Sequence, residues 1–102
     1  MSFNMKALQQ MQAKMLKMQE DLQNTTFEGT SGGGAVAVSL NGKFEITAIK
    51  LDPEVVDPAD VSMLEDLILT ACHDGFEKVA DATAKMMTAL TGGLKLPPGM
   101  GF

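Results

Sequence analysis

At 102 residues the chain is about one domain, and a domain of that size buries only roughly 60 to 70% of its unfolded surface. Aromatics are 5%, with no Trp or Tyr, so aliphatic and thioether side chains must do the packing, and a core shared with a second copy is an obvious way to enlarge it. A net charge of −5 without arginine argues against indiscriminate binding to polyanions, which rewards clustered Lys and Arg. The lone Cys72 cannot form an internal disulfide, no apolar run of signal-peptide length opens the chain, and the longest uncharged apolar stretch is Leu67 to Cys72. A cytoplasmic protein with no membrane span is expected.

The first element is a helix from about Ser2 or Asn4 to Leu22, with an arm of 2–24 in all. Leu8, Met11, Met15, Met18 and Leu22 follow 3-4-3-4 spacing, an a/d seam of the kind that meets another helix. Methionine at heptad spacing is most often core or subunit interface, although its adaptability also suits peptide-binding surfaces. Lys6, Lys14 and Lys17 lie off that seam, and residues 1–19 contain no acid, whereas residues 20–102 carry all thirteen acids against five lysines. The arm is the only basic territory.

Asn24 to Thr26 break the helix, and the region 27–52 reads as a small antiparallel sheet of about three strands. Phe27 to Thr30 is a short strand. Ser31-Gly32-Gly33-Gly34 is a flexible connection rather than a phosphate cradle, because no Gly-Lys-Ser/Thr follows and no helix opens there. For "AVAVSLNGKFEITAIKLD" a three-residue loop of Leu40, Asn41 and Gly42, with Gly42 left-handed, pairs Val38 with Phe44 and Val36 with Ile46 and gives one clean apolar face. The apolar phase shifts beyond Thr47 and Ala48, which predicts a bulge or a doubly covered strand end.

Asp52-Pro53 closes the sheet, and a second long helix is expected over 60–90, with Asp57 or Asp60 as N-cap and Pro58 near its start. Leu64, Ile68, Ala71, Gly75, Ala82, Met86 and Ala89 trace its narrow apolar stripe, broadened by Leu67, Cys72, Phe76 and Val79. Gly75 costs roughly 1 kcal/mol of helix propensity relative to Ala, so it should have a packing reason or mark a bend. Residues 91–102, ending "LKLPPGMGF", form an extended Pro/Gly tail. The sequence leaves the docking of this tail open.

No constellation supports catalysis or a metal. Cys72-His73-Asp74 are adjacent on a helix and diverge by about 100° per residue, so they do not converge on one centre. The six acids from Asp52 to Asp66 form a solvated acidic face that repels DNA. The arm lysines, by contrast, are segregated as phosphate contacts would be, supplying affinity without sequence information. Without arginine for bidentate guanine readout, sharp sequence specificity is not expected.

Taken together, "MKALQQMQAKMLKMQEDL", "GTSGGGAVAVSLNGKFEITAIKLDPEVV", "LEDLILTACHDGFEKV" and "TGGLKLPPGM" resemble the YbaB/EbfC family of bacterial nucleoid-associated proteins over essentially the whole chain. The resemblance implies an α+β fold of a single domain, residues 1–102, in a tweezers-like homodimer with projecting helical arms. It also implies binding to double-stranded DNA that alters DNA conformation, with roles in nucleoid organisation, gene regulation and DNA protection. Only basic positions are carried over as DNA contacts: Lys6, Lys14 and Lys17, with Lys78 and Lys85 on the second helix as secondary candidates. No enzyme activity, cofactor, metal, membrane or small-molecule substrate is expected. The alternative is an adaptor for the DNA recombination and repair machinery, with the methionine seam capturing a partner helix.

Overall fold

A computed structural model of the protein describes residues 5–90. The expected tail, 91–102, and the first four residues lie outside the described residues.

Helix α1, Met5–Asn24, contains no β-branched residue and is built almost wholly from strong helix formers. Thr25 ends it, its hydroxyl donating to the Asp21 carbonyl at 2.6 Å and its N–H to the Leu22 carbonyl at 3.2 Å. Three antiparallel strands follow in the order β1 (Thr26–Ser31), β2 (Val36–Asn41) and β3 (Ile46–Leu51). Between β1 and β2, Gly32, Gly33 and Gly34 make a single turn with φ of 61°, 68° and 95°. Those left-handed values explain a run of glycines. The chain then enters β2 directly.

The β2–β3 hairpin corrects the expected register. Val36 pairs with Leu51, Val38 with Ile49 and Leu40 with Ile46, the register shifting between Ser39 and Leu40. The loop does have three residues, but they are Gly42, Lys43 and Phe44, enclosed by Asn41 N–H donating to the Glu45 carbonyl at 3.1 Å. Phe44, not Gly42, holds the left-handed position, with φ 62°. Gly42 is there for space: a Cβ on it would collide with the Leu22 carbonyl at the end of α1. The phase change beyond Thr47 is a bulge, and it keeps Ile46, Ile49 and Leu51 on one face with Val36, Val38 and Leu40.

Asp52 caps the turn Pro53–Val55 by accepting from Glu54 N–H at 3.0 Å. Asp57 holds the next turn through Ala59 N–H at 2.9 Å, with Pro58 inside that turn rather than in the helix. Helix α2, Val61–Leu90, then starts on Asp60, whose carboxylate accepts from Met63 N–H at 3.2 Å. Its stripe lies across β1 and β2. Val36, Val38, Leu40, Ala71 and Val79 are fully buried, the large aliphatics among them each contributing roughly 1.5–3 kcal/mol.

Gly75 has its packing reason. It faces Gly29 on β1, where a Cβ would run into the Ala71 carbonyl and the Gly75 backbone, while a Cβ on Gly75 would meet Leu40 Cδ2 at 2.6 Å. Two glycines let helix and strand backbones touch. Beyond that contact α2 outruns the sheet and α1 runs beside its last turns, so the molecule measures 71 × 30 × 16 Å with a radius of gyration of 19.4 Å. A compact chain of this length has about 13 Å. The arm is therefore two-stranded in helices: α1 together with the C-terminal half of α2.

Candidate nucleic-acid interface

The arm lysines are all exposed. At about 100° and 1.5 Å per residue, Lys6, Lys14 and Lys17 fall within an arc of about 80° and span roughly 16 Å of α1. Lys17 lies 3.9 Å from Asp21 across one turn of exposed helix, a pair that contributes little and leaves the amine open to competition. Lys14 sits beside Met11, Met15 and Ala89 in a shallow groove where α1 meets the last turns of α2. Lys85, also exposed, is one turn before Ala89 on α2.

Lys78 has different company. Its ammonium donates to the Glu28 carbonyl at 2.7 Å and lies 3.3 Å from the Asp74 carboxylate, which in turn accepts from Thr30 N–H at 2.9 Å. Two side chains one turn apart on α2 thereby satisfy the outer edge of β1. The Thr30 N–H, and secondarily Lys78, hold the Asp74 carboxyl below its ordinary value. The sequence shows the Asp74/Lys78 spacing, but their partners lie 44 and 50 residues away. Ser31 adds a third link by donating its hydroxyl to the Leu67 carbonyl at 2.5 Å.

The acids from Asp52 to Asp66 are exposed at the start of α2 and the turns before it, far along the helix from Lys85 and the arm. Lys6, Lys14, Lys17 and Lys85 thus stand apart from that acidic run, while Glu20, Asp21, Glu77 and Asp81 are also exposed on the two arm helices. Such a distribution directs a polyanion to the arm and away from the opposite end.

The seam of α1 is divided. Leu8, Met18 and Leu22 are half-buried, whereas Met11 and Met15 are 63% and 41% exposed. A second apolar surface was not legible in the sequence: Ile46, Ile49 and Leu51 extend the buried face of the sheet past the edge of α2, and Ile49 is 48% exposed. Nothing in β3 is buried by the chain itself.

Among the described residues, no group of three or more His, Cys, Asp or Glu is placed to hold a metal. Cys72 is half-buried, His73 is exposed, and Asp74 is turned to β1. No described helix is long and apolar enough to cross a membrane.

The chain is similar to proteins named as nucleoid-associated. One is a nucleoid-associated protein of Clostridium kluyveri, 52% identical over 91% of this chain and 82% of its own length. Another, from Pelotomaculum thermopropionicum, is 50% identical over 95% of this chain and 92% of its own length. In fold, the chain is similar to the crystal structure of the uncharacterized protein HP0035 from Helicobacter pylori, with a TM-score of 0.64 at 25% identity, covering 79% of this chain and 94% of that one. The family model for the YbaB/EbfC DNA-binding family matches residues 1–94, and its description, like the relatives' names, indicates a DNA-binding protein and not an enzyme. With glycine-spaced sheet, methionine seam and lysine arm all inside that match, the chain belongs to the YbaB/EbfC DNA-binding family.

Proposed function

We propose that the protein binds double-stranded DNA as a homodimer, with little sequence specificity, through Lys6, Lys14 and Lys17 on the arm, and that it alters DNA conformation in the nucleoid. The observation that carries this reading is the placement of exposed lysines along a projecting arm, with the densest run of acids at the far end of α2. Lys85 joins them as a secondary contact. Lys78 is the weakest candidate, since its ammonium already spans Asp74 and Glu28.

The homodimer reading rests on Ile46, Ile49 and Leu51 and on the exposed part of the methionine seam, surfaces that a second copy would cover. Two copies would carry a net charge near −10, so affinity should be modest for each dimer and fall with salt. Several dimers along one duplex would then act together. Nucleoid organisation, gene regulation and DNA protection are the roles consistent with such backbone binding, and the cytoplasmic nucleoid its location.

The test is a titration on several unrelated duplexes at one low salt concentration. Similar affinities for all are expected; one duplex bound a hundredfold more tightly than the rest would refute backbone reading. Exposure of Met11 and Met15 favours a second reading, an adaptor for recombination and repair proteins. That reading gains if Met11→Asp with Met15→Asp abolishes capture of such a protein while dimer and DNA binding persist.

A further inference from the structure

Methionine is ordinarily among the more buried residue types. Among the described residues, however, Met5, Met11, Met15, Met63 and Met87 are exposed, and Met18 and Met86 are half-buried. Two of the exposed set, Met11 and Met15, stand one turn apart on α1 and share a groove of about 140 Å³ with Lys14 and with Ala89 of α2. This groove lies where α1 meets α2. Packing alone does not call for sulfur there: leucine serves the same seam at Leu8 and Leu22, and Leu and Met exchange at little cost. What methionine adds at an exposed position is a thioether within reach of oxidants.

We infer that Met11 and Met15 form a reversible oxidation site for hydroperoxides, and that their sulfoxides loosen α1 from α2 and draw Lys14 away from phosphate. The chemistry is an oxygen transfer. A sulfur lone pair attacks one oxygen of hydrogen peroxide, an S–O bond forms as the O–O bond breaks, and the proton of the attacked oxygen passes to the departing one, which leaves as water. Sulfur gives up two electrons and the peroxide takes them. Two thiols reverse the step, carrying the oxygen off as water and becoming a disulfide.

The consequence follows from polarity. A thioether packs as an apolar group, whereas a sulfoxide is polar and its oxygen accepts hydrogen bonds. The Ala89 side chain offers that oxygen no donor, so the contact between α1 and α2 weakens. Lys14 lines the same groove and stands between the two methionines in sequence. An ammonium that donates to a sulfoxide oxygen is lost to phosphate. Loosening of the arm does not depend on DNA; only the loss of the phosphate contact rests on the DNA binding proposed above.

The full-length protein and full-length Met11→Leu/Met15→Leu are each followed before and after treatment with hydrogen peroxide. Peptide mass spectrometry should find an added oxygen on Met11 and on Met15 before Met18 or Met86 gains one. Amide hydrogen exchange along α1 should then quicken in the wild-type chain, return to its starting rate after methionine sulfoxide reductases of both epimer specificities with dithiothreitol, and stay constant in the variant. Affinity for a duplex should fall about tenfold when the wild-type chain is oxidised, the value of one charge-assisted contact, and hold in the variant. Met5, Met63, Met87 and Cys72 are present in both chains, so equal responses of the two to peroxide would overturn the inference. Met11 and Met15 left unmodified while Met18 reacts, as cover by a second copy would produce, would overturn it too. Unoxidised protein that binds no DNA counts against the arm reading alone, because the exchange rates still decide whether oxidation loosens α1.

Discussion

The α2–β1 contact and the arm show opposite uses of the same chain. Where α2 crosses β1, Gly29 meets Gly75, and Asp74, Lys78 and Ser31 each find a backbone partner across the contact. Along the arm, and on β3, apolar and basic side chains face outward, including Met11, Met15, Ile46 and Ile49. The first region is completed by its own sequence. The second needs something from outside, so changes in the two regions should separate stability from binding.

The largest effect expected is on folding. Gly29→Val places branched carbons where the Ala71 carbonyl and Gly75 backbone lie, and overpacking against backbone costs about 3 kcal/mol or more, a large part of a total of about 5–15 kcal/mol. Thermal denaturation should show the loss. Gly33→Ala is the control, because nothing lies within 4 Å of its Cβ and only φ +68° opposes it, a cost of about 1–2 kcal/mol.

Next comes assembly. Ile46→Asp with Ile49→Asp should shift sedimentation toward the monomer while helix content by circular dichroism stays near wild type. A dimer that survives both changes would remove β3 from the interface.

A smaller effect is expected from the seal on β1. Asp74→Asn keeps an acceptor for Thr30 N–H but removes the charge facing Lys78. Because the folded protein lowers the Asp74 pKa from its ordinary 3.8, the carboxylate stabilises the fold above about pH 4, and that contribution fades as pH falls through the folded value. The melting temperatures of wild type and Asp74→Asn should differ at pH 7 and converge only once the pH has fallen below the lowered folded value. A difference that persists there would place the effect in packing instead. Smallest of all, Lys17→Ala should cost under about 0.5 kcal/mol of stability, since its pair with Asp21 is exposed.

Both helices were legible because their apolar spacing repeats over several turns, from Leu8 to Leu22 and from Leu64 to Met86. The bulge near Thr47 was legible from a change of phase. The hairpin register was not, because Asn41-Gly42 reads as a turn by composition, whereas Gly42 answers to Leu22, twenty residues earlier. Asp74 illustrates the same limit. In sequence it stands beside Cys72 and His73 as a candidate ligand; in the fold it belongs to Thr30 and Lys78. Local chemistry marked the lysines of the arm, but which apolar residues stay uncovered depended on α2 crossing β1 and β2 and stopping short of β3.

The most direct test of the arm is the salt dependence of DNA affinity for wild type and for Lys6→Ala/Lys14→Ala/Lys17→Ala, measured from about 50 to 200 mM salt. Every lysine that neutralises a phosphate steepens the slope of log K against log salt by about 0.9. The triple variant should therefore show a much shallower slope and weaker binding, with only a small change in melting temperature. Equal slopes and equal affinities for the two proteins would contradict the assignment of DNA binding to the arm.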